Sequence, residues 1–198
     1  MARQSMREEI VDAAVAQFHS KGYNAAGVKD ITDAAGTPKG SFYNHFESKE
    51  SLAVVALERY GASRRLQDLA ASDIAPLVRL RKHFEFLRDE TVDAGFARGC
   101  LIGNFGAEVA DHSETIRTGV RESLGHWASM ISGALVEAQQ AGTVRADLDP
   151  EKTARFLLNA WEGTLIAARS SRSGDAFDDF FDTAFGALLA PHPEQAQP

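Results

Sequence analysis

Cysteine occurs once in 198 residues, as Cys100, which excludes an intrachain disulfide and a cysteine-rich zinc site and leaves the core to be held by packing. Long apolar runs are missing too. No stretch reaches the roughly 18 to 20 residues of a membrane-spanning helix, and Met1, Ala2, Arg3, Gln4 and Ser5 lead into charged residues rather than a signal-peptide core. A cytoplasmic protein with no membrane partner is the expectation. Period-2 alternation and Asn-Gly or Asp-Gly hairpin turns are absent, so strands are not expected. His83, His112 and His126 share no ligand spacing with one another or with Cys100, and no metal or other cofactor is expected. Cationic charge is also short: 21 Lys+Arg face 28 Asp+Glu, and the net charge of −7 taken alone argues against a nucleic-acid partner.

What is present is an ordinary globular composition, 44% apolar and 25% charged, with apolar residues repeating at three and four almost throughout. The chain reads as all-helical. Ile10, Ala13, Ala14 and Phe18 form the stripe of a first helix that Gly22 stops. Val28, Ile31 and Ala35 mark a short second helix between Gly27 and Gly36. Thr37 and Pro38 open a third helix of barely two turns that runs through Phe46, and Ser48 caps a fourth that reaches Tyr60 or beyond. Two short helices joined by a tight glycine-containing turn are the layout of a helix-turn-helix.

The third helix carries the chemistry. Thr37, Pro38, Lys39, Gly40 and Ser41 are small or cationic, so its first turn can enter a major groove and bring donors to base edges. Phe42 and Phe46, at i and i+4, anchor it, while Tyr43, Asn44 and His45 point outward toward phosphate oxygens. Lys29 and Lys49 add cations nearby, Lys49 beside the positive end of the fourth helix. A packing module that touches nothing would favour apolar or helix-forming residues at positions 39, 40 and 44.

The run Gly36-Thr37-Pro38-Lys39-Gly40-Ser41-Phe42-Tyr43-Asn44-His45-Phe46-Glu47-Ser48-Lys49-Glu50 resembles the signature of TetR-family transcriptional regulators. The likeness spans about Arg7 to Leu57. It implies an all-α fold with an N-terminal three-helix DNA-binding domain (residues 1–50), a C-terminal helical bundle for ligand binding and dimerisation (51–190) and a flexible tail (191–198). It also implies a homodimer binding a palindromic double-stranded DNA operator, a small-molecule effector, and repression as the output. Two departures stand out: Ala26 and Gly27 occupy positions where the family often has threonines that touch phosphate, and Thr32 replaces a usual alanine. Residues 1–50 hold six Lys+Arg against seven Asp+Glu, the remainder 15 against 21, so the acidity lies mostly outside the reader. A modest sequence-independent affinity and a shallow salt dependence follow.

Past Ser63 the helical period continues: a helix from Pro76 closed by Gly95, one from about Gly99 to Ala110, one between Ser113 and Ala141 stopped by Gly142, one opened by Asp149 and Pro150, and a last one from Gly174 and Asp175. The last two each have two apolar faces. Phe156, Ala160, Gly163 and Ala167 on one, with Phe181 and Phe185 on the other, suit a two-fold four-helix dimer interface; burial on both sides within one subunit is the alternative.

Cys100 precedes Leu101, Ile102, Gly103, Asn104 and Phe105 in the first turn of a helix near Arg98, where a thiol can have a lowered pKa and react with electrophiles or oxidants. It can equally be a small apolar filler. Its Gly-Cys-Leu segment and the Gly27-to-Thr32 run resemble a TetR branch that includes the repressor of N-ethylmaleimide reductase and an acrylate-responsive repressor. Membership implies that a cysteine or pocket near this region senses electrophilic or small unsaturated compounds. Asn104, Phe105, Trp127 and Trp161 are further candidates for the effector site, with core packing as the other reading of each aromatic. A noncovalent apolar or organic-acid effector is the milder alternative. A cysteine-nucleophile enzyme using His112 or His126 as base is the distant one, and no catalytic residues are assigned.

Overall fold

A computed structural model of the protein describes residues 5–191; most of the expected tail therefore lies outside the described residues. All regular elements among them are helical: α1 (Met6–Lys21), α2 (Val28–Ala34), α3 (Lys39–Phe42), α4 (Lys49–Ser63), a 3-10 turn (Leu66–Ala70), α5 (Pro76–Asp93), α6 (Leu101–Glu108), α7 (Glu114–Gln140), α8 (Pro150–Ser171) and α9 (Asp175–Phe181), continued by a π-helical stretch (Asp182–Leu188). The all-α expectation holds. Among the described residues two compact units emerge, one formed by 5–64 with 100–124, the other by 65–99 with 125–191.

In the first unit, Ile10, Val11, Ala14 and Phe18 bury one face of α1. Gly22 ends that helix with φ +82°, a left-handed conformation that glycine adopts without a Cβ penalty. Gly36, at φ +64°, closes α2 in the same way. Thr32, the departure noted in the sequence, is fully buried; its hydroxyl donates to the Val28 and Lys29 carbonyls, and its own carbonyl accepts the Thr37 N–H at 2.9 Å. Arg59 of α4 is ion-paired to Glu8 and Asp12 of α1. Phe105 of α6 meets Phe18 and Tyr23 edge-on at 5.4 and 5.7 Å between ring centres.

The second unit centres on an aromatic cluster of Phe84, Trp161, Phe177 and Phe180, with ring centres 5.0 to 5.4 Å apart. Arg79, 3% exposed, donates to the carbonyls of Leu69, Ala71 and Ile74 and pairs with Glu137, tying the 3-10 turn to α5 and α7. Asp149 caps α8, accepting the Lys152 N–H at 3.0 Å, with Pro150 in the first turn as expected.

Three expectations need correction. The third helix does not run to Phe46: α3 is one turn long, Pro38 is its N-cap, and residues 43–46 continue as tight turns closed by Asn44 N–H to Ser41 and His45 N–H to Phe42. Both Phe42 and Phe46 are buried, and the turns after α3 are what carry the second ring inside with the first. Cys100 is the N-cap of α6 rather than a residue of its first turn. The last helix is not uniformly α: it widens after Phe181, with the Leu189 N–H reaching back five residues to Ala184.

Candidate nucleic-acid interface and effector residues

The DNA-facing candidates divide into exposed and inward groups. Pro38, Lys39, Gly40, Tyr43, Asn44 and His45 are exposed, Tyr43 at 61%, over the buried pair Phe42 and Phe46; Ser41 is half-buried. A Cβ placed at Gly40 would meet nothing within 4 Å, so this position leaves a bare stretch of helix surface open to close approach. Lys29 is exposed but paired with Asp33, whose hydrogen bond and charge raise its pKa above the ordinary lysine value. Thr37 is buried, with its hydroxyl at 3.5 Å from the Thr32 carbonyl, and serves the turn between α2 and α3. Lys49 also turns inward: its ammonium donates to the Tyr23 carbonyl at 2.9 Å and the Ala26 carbonyl at 3.4 Å and lies 4.0 Å from the Tyr23 ring centre. Desolvation lowers the Lys49 pKa, with the charge of Glu108 working the other way. A lysine expected on phosphate is thus committed to the protein's own backbone.

The effector candidates fall in both units. Cys100, Asn104 and Phe105 belong to the first. Cys100 is 3% exposed, and the buried Tyr60 hydroxyl interacts with its thiol and with the Leu101 N–H; burial first, then the thiol, holds the Tyr60 pKa well above the ordinary phenol value. Asn104 is half-buried with its N–H on the Cys100 carbonyl, and Phe105 is wholly in the core. Trp127 and Trp161 belong to the second unit. Trp127 donates its indole N–H to His83 Nε2 at 2.9 Å, and Trp161 sits in the aromatic cluster. A cleft of about 430 Å³ in this unit is lined by Arg65, Lys82, His83, Phe86 and Ile74 among others, a more polar surface than the sequence pattern suggested. His112 and His126 are exposed while Cys100 is buried, an arrangement that gives a nucleophile–base pair no support. Among the described residues no group of three His, Cys, Asp or Glu is placed to hold a metal, and no helix is long and apolar enough to cross a membrane.

Of the dimerisation candidates, Phe156 (57% exposed), Ala160, Gly163 and Ala167 line an apolar groove of about 350 Å³ between α8 and the last helix. Phe181 and Phe185 do not join them. They stack on each other at 5.8 Å beneath Arg81, and Phe181 is buried within its own subunit. The sequence reading missed Glu108, whose carboxylate accepts the N–H groups of Tyr23 at 2.9 Å and Asn24 at 2.7 Å. No local pattern points to it, because its partners lie 85 and 84 residues away.

A one-turn helix presenting small, cationic and aromatic groups over a buried aromatic pair, preceded by a short helix and a glycine turn, defines the class: a helix-turn-helix regulator with an all-helical second unit. Residues 10–56 match the family model of bacterial regulatory proteins of the tetR family, and residues 76–184 match the tetracyclin repressor-like C-terminal domain. The chain is 35% identical to the HTH-type transcriptional repressor DhaR of Mycobacterium sp. strain GP1 over 96% of its own length and 95% of DhaR. It is 33% identical to the transcriptional regulator AcuR of Cereibacter sphaeroides over 89% of this chain and 82% of that one. The crystal structure of reduced Escherichia coli NemR superposes with a TM-score of 0.84 at 26% identity, covering 95% of this chain and all of that one. The protein belongs to the TetR family of transcriptional regulators, whose members typically bind DNA as dimers and respond to small molecules.

Proposed function

We propose that the protein is a homodimeric repressor that reads a palindromic operator and leaves it when an effector acts on the chain. The observation that carries this reading is the exposed surface of Lys39, Gly40, Tyr43, Asn44 and His45, held rigid by Phe42 and Phe46 beneath it. The DNA-binding domain corresponds to residues 1–50, and residues 51–190 serve ligand binding and dimerisation. The α8 groove of Phe156, Ala160, Gly163 and Ala167 supplies the self-complementary face that a two-fold dimer needs. An inducer that lowers operator affinity a hundredfold has to supply about 2.7 kcal/mol of coupling between its site and the DNA. Selection of duplexes from a random library by the full-length protein tests the reading. Recovery of one inverted-repeat sequence is expected; recovery of no preferred sequence would overturn it.

For the effector, electrophiles acting at Cys100 are the first reading. Cys100 occupies the N-cap position of α6 and its thiol meets Tyr60 of α4, so an adduct on sulfur has to displace a side chain of the helix that follows the reading turn. Likeness to NemR and AcuR supports this branch. Release of the protein from its selected duplex by N-ethylmaleimide, lost in Cys100→Ser, is the expected result; equal release of the variant would exclude the thiol. The second reading, a noncovalent organic acid, rests on the cleft that carries Lys82 and His83 beside Phe86, where Arg65 is paired with Asp68 and Asp73 also lines the wall. It predicts release that survives Cys100→Ser.

A further inference from the structure

We infer that Glu108 is a positioning residue for DNA reading: from the last turn of α6 its carboxylate holds the α1–α2 turn, and with it the short helices that present the reading surface. The inference rests on the first unit being the DNA reader. Glu108 uses both oxygens, Oε2 accepting from the Tyr23 N–H at 2.9 Å and Oε1 from the Asn24 N–H at 2.7 Å. Charge-assisted bonds of this kind are about twice as strong as neutral ones, and two consecutive amides bound by one group fix orientation as well as distance.

The neighbourhood is built around that contact. A Cβ at position 22 would stand 2.7 Å from Glu108 Oε2, so a side chain there would push the carboxylate away from its two amides, and the φ of +82° favours glycine at the same position. The Tyr23 residue is gripped from its other side by Lys49, which takes its carbonyl and covers its ring, while Phe18 and Phe105 close on the ring at 5.6 and 5.7 Å. Phe105 and Glu108 are three residues apart and so share a face of α6, an apolar anchor beside an ionic one. Local energetics argue against this glutamate. The C-terminal end of a helix carries partial negative charge, which disfavours a carboxylate. Its bonds to Tyr23 and Asn24 are what offset that penalty. The turn it holds leads directly into α2, and the Thr32–Thr37 bond passes the position of α2 on to α3. Displacing the turn therefore redirects the surface of Lys39, Gly40 and Tyr43 without removing any group that would touch DNA.

Glu108→Gln is close to isosteric, but it keeps one acceptor and places an NH2 against the second amide N–H. In the full-length variant, affinity for the duplex that the wild type selects is expected to fall about tenfold at fixed salt, while affinity for a random duplex stays within about twofold. Amide exchange at Tyr23 and Asn24 is expected to accelerate about tenfold, the signature of a local opening. Selected-duplex affinity within about twofold of wild type, or unchanged exchange at both amides, would overturn the inference. Parallel loss on both duplexes would also overturn it, since that is what a merely structural role gives. Should the wild type select no duplex, the DNA-reading function itself falls, and the exchange rates still decide whether the carboxylate holds the turn.

Discussion

Lys49 and Tyr23 form a closed contact: the ammonium donates to the tyrosine's carbonyl at 2.9 Å and lies 4.0 Å from its ring centre. The residue that sequence position would place on a DNA phosphate is spent inside the unit. Lys49→Met keeps the aliphatic stem and removes the charge. A loss of about 1.5 to 3 kcal/mol in urea unfolding is expected, the range for a hydrogen bond to a charged group. The slope of log affinity against log salt for the selected duplex should stay as in the wild type, whereas loss of a phosphate contact would lower it by about one.

The two groups of dimer candidates should separate. Phe156→Glu puts a charge in the exposed α8 groove, and sedimentation is expected to show a monomer with its melting temperature little changed. Phe181→Ala removes a ring buried in its own subunit and should cost about 3 to 5 kcal/mol of stability in urea unfolding. A dimer that survives Phe156→Glu would contradict the groove assignment.

These two cases show where sequence reasoning stops. The helix stops at Gly22, Gly36 and Gly142, and the Asp149-Pro150 start, were legible because left-handed caps and N-caps are local chemistry. The exposure of Lys39, Tyr43, Asn44 and His45 over the buried Phe42 and Phe46 pair was legible for the same reason. The inward turn of Lys49 and the grip of Glu108 were not, since both depend on Tyr23, which lies 26 residues from Lys49 and 85 from Glu108. The fate of Phe181 and Phe185 was not legible either, because it depends on Arg81 reaching over both rings and on Trp161 packing against Phe181, residues that arrive from other helices.

Asp149 gives a pH test. The Lys152 N–H, followed by weaker contributions that include the Lys152 charge, lowers its pKa below the usual aspartate value, so its stabilising effect is complete above the unfolded pKa near 3.8 and is lost as pH falls through the folded value. Asp149→Asn retains the cap without the charge. Thermal melts are expected to show the variant losing less stability than wild type between about pH 5 and 2. Identical acid limbs would remove Asp149 as a contributor.

The central claim is that the bare, exposed turn of α3 reads DNA. Gly40→Ala tests it most directly, because the new methyl meets nothing within 4 Å in the protein and replaces glycine in a helix. Stability should rise by about 0.5 to 1 kcal/mol, the usual difference between glycine and alanine in a helix. Titration of the selected duplex should show affinity falling about tenfold or more, as the methyl blocks close approach to the bases. Stability and operator affinity that rise together, or an affinity left at the wild-type value, would contradict the account.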